Sequence, residues 1–166
     1  AEAGDRPAAL AAFAALPPAA AGDDGRGAHE QAMGQYRIGK LLLESDPAAA
    51  AAGSALASAL DGVRAALTAQ PGNARWRSDL VSVAQQRAGW LLFHGDKPGA
   101  VALYLEALDV AGAVLAEKPA DAVMRHQHAG ALLMAGMGYR VSGQADEAAD
   151  YLRRYKEELG ALASPR

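Results

Sequence analysis

Residues 60 to 76, LDGVRAALTAQPGNARW, lie in one register with residues 108 to 124, LDVAGAVLAEKPADAVM. Leu60 falls on Leu108, Asp61 on Asp109, Ala66 on Val114 and Pro71 on Pro119, each pair 48 residues apart. The register continues through Arg77 and Arg125, Gly95 and Gly143, and Ala100 and Ala148. A further overlay places QYRIGKLLLESD (35 to 46) on QQRAGWLLFHGD (85 to 96) at a separation of 50. A chain that repeats one unit at such a period must bury the apolar face of each unit against its neighbour, because a single unit cannot bury it alone.

Each unit divides into two helical stretches. Alanine dominates a composition that is 51% hydrophobic and only 5% aromatic. Alanine loses no side-chain entropy in a helix, and its small side chain lets helices approach closely. The segment GDKPG (95 to 99) breaks the middle unit. Glycine suits the left-handed position that ends a helix, aspartate can cap the next one, and proline is tolerated in a first turn where its missing N–H has no partner to lose. ESDP (44 to 47) and SGQADE (142 to 147) fill the same place in the other units. The expected helix pairs are 28–44 with 47–69, 73–94 with 97–118, and 121–142 with 145–162. Tight turns between long helices make each pair antiparallel.

GDRPAALAAFAAL (4 to 16) resembles the second half of a unit, GDKPGAVALYLEAL (95 to 108), without a first half before it. LPPAAAGDDGRG (16 to 27) reads as a loop stopped by Pro17-Pro18. The expected organisation is therefore one helical-repeat domain over 1–166. It comprises a half-repeat helix and loop (1–27), repeat 1 (28–72), repeat 2 (73–120), and repeat 3 with a C-terminal cap (121–166). A chain that opens on half a unit fits an array continued upstream in a larger protein. The alternative is an exported protein whose first segment resembles a repeat half.

Several classes of function are disfavoured. The net charge is −3 with both signs mixed along the chain, so no basic stripe invites nucleic acid or an anionic membrane. Cysteine is absent, which removes disulfides and thiolate metal or redox chemistry. No apolar run reads as a bilayer span of about 18 residues, so no membrane insertion is expected. The sequence does not fix the compartment, a cytoplasmic location being preferred to export.

The pattern resembles the tetratricopeptide repeat. Its positions are a small residue midway along the first helix, glycine at the turn, alanine early in the second helix, a large residue four later, alanine three after that, and a closing proline. The middle unit offers Ala88, Gly95, Ala100, Tyr104, Ala107 and Pro119. The last offers Gly136, Gly143, Ala148, Leu152 and Tyr155, and the first offers Ile38, Ala52, Leu56, Ala59 and Pro71. The repeat is longer than the usual unit of about 34 residues, and Asn73, Trp76, Arg77, Asp79 and Leu80 match the opening of the long bacterial variant. The resemblance implies an all-α solenoid of antiparallel helix pairs that binds protein. First helices would line a concave surface, in arrays often attached to bacterial signalling modules.

Catalytic and metal chemistry find little support. His126 and His128 are two apart, so on a helix they point about 200° from each other and cannot share a metal. One partly buried and one exposed histidine is the expectation. No nucleophile elbow or phosphate loop occurs, and the glycines of AGMGYRVSG (135 to 143) fall inside an expected helix, where they permit close packing. No cofactor and no enzymatic activity are expected. Gln35 and Gln85 recur at equivalent places, as groove donors or as structural groups. Arg37 and Arg87, which also recur, read as structural. Trp76 is expected to anchor a first helix against the previous unit, while Trp90 sits in an apolar patch, with Leu91, Leu92 and Phe93, too dense for one buried face. The expected ligand is a peptide or protein segment in the concave groove near Gln35, Ser82, Gln85, Leu92, His126 and Arg140. Self-assembly through the open ends of the array is the alternative.

Overall fold

The computed structural model describes residues 24–163. These form six α-helices: α1 Arg26–Ser45, α2 Ala50–Ala69, α3 Ala74–Phe93, α4 Lys97–Glu117, α5 Ala122–Val141 and α6 Ala145–Ala163. No strand occurs among the described residues. The class is all-α, the helical-repeat arrangement of antiparallel pairs to which α-solenoids belong. The segment resembling half a unit, at 4 to 16, lies outside the described residues, as does most of the expected 16–27 loop.

The described residues fall into two compact units divided after Val83, and α3 gives its first half to one and its second half to the other. In the first unit α1 and α2 pack as an antiparallel pair. Their closeness is set by glycine. A Cβ on Gly39 would lie 2.8 Å from Leu56 Cγ, and a Cβ on Gly62 would lie 2.8 Å from Ala32 Cβ. Gly39, not the neighbouring Ile38, therefore takes the small position opposite Leu56. Leu56, Ala59, Val63 and Ala66 are fully buried along α2. They recur three or four residues apart, the spacing that places side chains on one helical face.

The turn after α1 is longer than expected, and α2 begins at Ala50 rather than Pro47. Asp46 immediately precedes proline, which disfavours the helical region for it; it is extended, at φ −150° and ψ 106°. It closes an Asx turn instead, its Oδ1 accepting from the Ala48 N–H at 2.9 Å. In the middle unit Lys97 separates Asp96 from Pro98. There Asp96 caps α4 directly, accepting from the Gly99 N–H at 2.9 Å.

The second unit holds the rest of α3 with α4, α5 and α6. Ala88, Ala100, Tyr104 and Ala135 form a buried cluster, with Leu91 and Leu92 packed against it. Gly136 and Gly138 allow α5 its close contacts: a Cβ on Gly136 would lie 2.9 Å from Leu152 Cγ, and one on Gly138 would lie 2.8 Å from Val101 Cγ2. Gly95 and Gly143 end α3 and α5 at φ 85° and 81°, as their 48-residue spacing requires. By length and composition α4 could cross a bilayer, although the sequence did not read so. It carries Glu106 and Asp109, and it turns Ala100, Tyr104, Ala107, Ala111 and Val114 into the core. A core helix passes the same test.

The repeat extends to individual hydrogen bonds. Arg77 Nε donates to the Pro71 carbonyl at 3.0 Å, and Arg125 Nε donates to the Pro119 carbonyl at 2.9 Å. Asn73 Oδ1 accepts from the Trp76 N–H at 3.2 Å, and Asp121 Oδ1 accepts from the Met124 N–H at 2.9 Å. Proline ends one helix, an Asx residue caps the next, and an arginine one turn on reaches back to the proline carbonyl. The sequence period of 48 is thus the period of a built joint.

Candidate functional site

The first unit contains an open cleft of about 590 Å³ lined from α1, α3 and the turn before α3. Its floor depends on His29, which is 7% exposed. His29 Nε2 pairs with Asp79 Oδ2 at 2.8 Å, joining residues 50 apart in sequence. The imidazole also stacks on Trp76, with ring centroids 5.0 Å apart and planes 19° from parallel. Trp76 is itself buried, and Gly25 passes so close that a Cβ there would lie 3.1 Å from the indole. Gly25 stands at φ 90°, a conformation glycine adopts without steric cost.

The rim is polar. Arg26, Arg37 and Arg75 line the cleft with Glu30 and Asn73, and Met33 adds apolar surface. Gln70 closes one end: its Nε2 donates to the Asp24 carbonyl at 2.8 Å, and its Oε1 accepts from Asn73 at 3.3 Å. Asp79 also acts on Tyr36, whose phenol is raised above its ordinary value first by burial and then by the nearby Asp79 charge. Arg26 is paired with Asp24, its Nε 3.1 Å from Asp24 Oδ2, as Asp79 is paired with His29.

This cleft was not among the sequence expectations. In the sequence Trp76 reads as an anchor and Asp79 as part of the repeat opening, whereas nothing there marks His29. Its counterpart signal is weak: 48 residues after Asp79 stands Gln127, so the pair has no equivalent in the next unit.

The six residues expected to line a concave groove are divided, Gln35 and Ser82 in the first unit and Gln85, Leu92, His126 and Arg140 in the second. Gln35 lines a second cleft, about 460 Å³, with Ser58, Asp61 and Gly62 between α1 and α2. Ser82 Oγ donates to the Ser78 carbonyl at 3.1 Å within its own helix. Gln85 Nε2 donates to the Gln127 carbonyl at 2.9 Å and so links α3 to α5. Leu92 is half-buried against the Tyr104 cluster. His126 and Arg140 are exposed on α5.

The histidines of α5 separate as their spacing demands, His126 exposed and His128 half-buried. His128 Nδ1 is buried without a hydrogen-bond partner among the described residues. Burial lowers its pKa, with Glu158 opposing and Arg154 reinforcing the shift. Among the described residues no group of three or more His, Asp and Glu side chains could hold a metal. The dense patch at the end of α3 divides: Leu91 and Leu92 turn inward, while Phe93 stays 64% exposed. Trp90 has the Arg87 guanidinium 4.5 Å from its ring centroid and stacks with His94, just past the end of α3, at 3.9 Å.

No family model matches this chain, and no curated protein matches it. Among solved structures it is similar to the crystal structure of MamA, at 13% identity across 96% of this chain and 92% of that chain, with a TM-score of 0.35.

Proposed function

We propose that this chain is a non-catalytic helical-repeat module of the tetratricopeptide type that binds a peptide or protein segment, within a larger bacterial regulatory protein. The observation that supports the reading is the division between repeated joints and the differing contacts between them. The Pro–Arg joint and the Asx cap recur 48 residues apart with the same hydrogen bonds. The contacts between helices differ from one unit to the other: His29 pairs with Asp79 in one, whereas Gln85 meets the Gln127 backbone in the other. A frame whose joints are held constant while the groups between them vary suits recognition, since stability and specificity then reside on different residues.

The test uses a photo-crosslinking amino acid at His126 or Arg140, both exposed on α5. A cellular protein captured at these sites should bind the unmodified chain saturably in calorimetry, with affinity reduced by Gln85→Ala combined with Arg140→Ala. A chain that captures no saturable partner, or that turns over a substrate in an activity screen, overturns the proposal.

A further inference from the structure

We propose that residues 4–16, which lie outside the described residues, dock on α1 of their own chain and cover its apolar side. The template is the second unit, where a second helix packs on the first helix that follows it. Tyr104 of α4 shares a buried cluster with Ala135 of α5. A Cβ on Gly138 would lie 2.8 Å from Val101 Cγ2, and one on Gly112 would lie 4.0 Å from His128 Nε2. Thus α5 turns His128, Ala135 and Gly138 toward α4. Glycine also fixes how α1 and α5 correspond. A Cβ on Gly39 would stand 2.8 Å from Leu56 Cγ, as one on Gly136 would stand 2.9 Å from Leu152 Cγ. The two first helices therefore match 97 residues apart, and His128, Ala135 and Gly138 fall on Gln31, Ile38 and Leu41.

At about 100° per residue, α1 has three distinct sides. Ala32 and Gly39 meet α2, and His29 and Met33 face the cleft to α3. Gly34, Ile38 and Leu41 lie on the third side, turned from both. The end of a repeat array needs a polar outer face, and apart from Gln31 this side is apolar, so it needs a cover. The chain carries a segment of the right pattern. GDRPAALAAFAAL follows GDKPGAVALYLEAL, so Leu10 takes the place of Val101 and Phe13 that of Tyr104. Phe13 then meets Ile38, and Leu10 meets Leu41. Leu41 is bulkier than Gly138, and the segment is thinner to match: six of residues 8–15 are alanine, where α4 has Leu103, Leu105 and Glu106 among the counterparts. The connection also reaches. The ten residues of α4 beyond the counterpart of Leu16 rise about 15 Å, and the nine residues 17–25 can span about 30 Å.

The chain has no cysteine, so a pair introduced into the full chain reports one contact. Under mild oxidation Phe13→Cys/Ile38→Cys should form an intrachain disulfide at least tenfold faster than Phe13→Cys/Lys40→Cys, because Lys40 stands about 200° around α1 from Ile38. Denaturing gels tell a bridged monomer from a dimer, and circular dichroism melts confirm that the variants fold. A second measurement needs no cysteine. Hydrogen exchange read by mass spectrometry should find the amides of 8–16 slowed at least tenfold below their unstructured rates. Phe13→Asp, which alters none of the six helices, should restore those rates. Equal disulfide rates for the two pairs, or exchange of 8–16 at unstructured rates in the unsubstituted chain, overturns the docking. A disulfide-linked dimer places the segment on α1 of a second copy and overturns its assignment to its own chain.

Discussion

Replacing Gly138 and Gly89 by alanine should move stability in opposite directions, although both lie inside helices. Glycine in a helix interior costs about 1 kcal/mol relative to alanine, so each substitution begins with that gain. At Gly89 nothing opposes it: a new Cβ would meet only the Tyr104 hydroxyl, at 3.8 Å, which is ordinary contact. At Gly138 the Cβ would lie 2.8 Å from Val101 Cγ2. Valine in a helix is held to one χ1 rotamer, and Val101 is buried on α4, so it cannot swing aside. Overpacking of this kind costs about 1–3 kcal/mol. The expected outcome is a gain of about 0.5–1 kcal/mol for Gly89→Ala. For Gly138→Ala the expected net loss is up to about 2 kcal/mol, the overpacking cost less the propensity gain. Urea unfolding followed by circular dichroism reads both, comparing midpoints at unchanged slope. Equal stabilisation by the two substitutions would refute the close approach of α5 to α4.

Two further outcomes follow from the same geometry. Arg77→Ala and Arg125→Ala should each cost about 1 kcal/mol, since they make the same bond to the proline carbonyl at 3.0 and 2.9 Å; urea midpoints that separate the two by more than their error would show that the joints are not equivalent. His128 should make stability fall in acid. Its folded pKa is below the unfolded value of 6.5, chiefly through burial, so the contribution is complete above that value and is lost as pH falls through the folded one. Glu158 and Arg154 are the charged groups acting on it. Thermal midpoints from pH 8 to 5 should therefore drop less steeply in His128→Gln, and superimposable curves for the two proteins would remove the assignment.

The sequence by itself determined the helices, their pairing and their joints, because these depend on neighbours in the chain. Proline, an Asx residue and an arginine within seven positions suffice to end one helix, cap the next and tie the two, and glycine suffices to close α3 and α5. Local rules also set where the second helices begin: Asp-Pro at 46–47 delays α2, whereas Asp-Lys-Pro at 96–98 caps α4. Only the tertiary structure decided which residues meet across helices. It chose Gly39 over Ile38 to face Leu56, and it turned Leu91 and Leu92 inward while leaving Phe93 outside. It also brought His29 to Asp79 and Trp76 across some 50 residues of chain to make the cleft. Periodicity specifies a helical face, but the partner of that face depends on the rotation and separation of two helices, which the pattern of one helix does not contain.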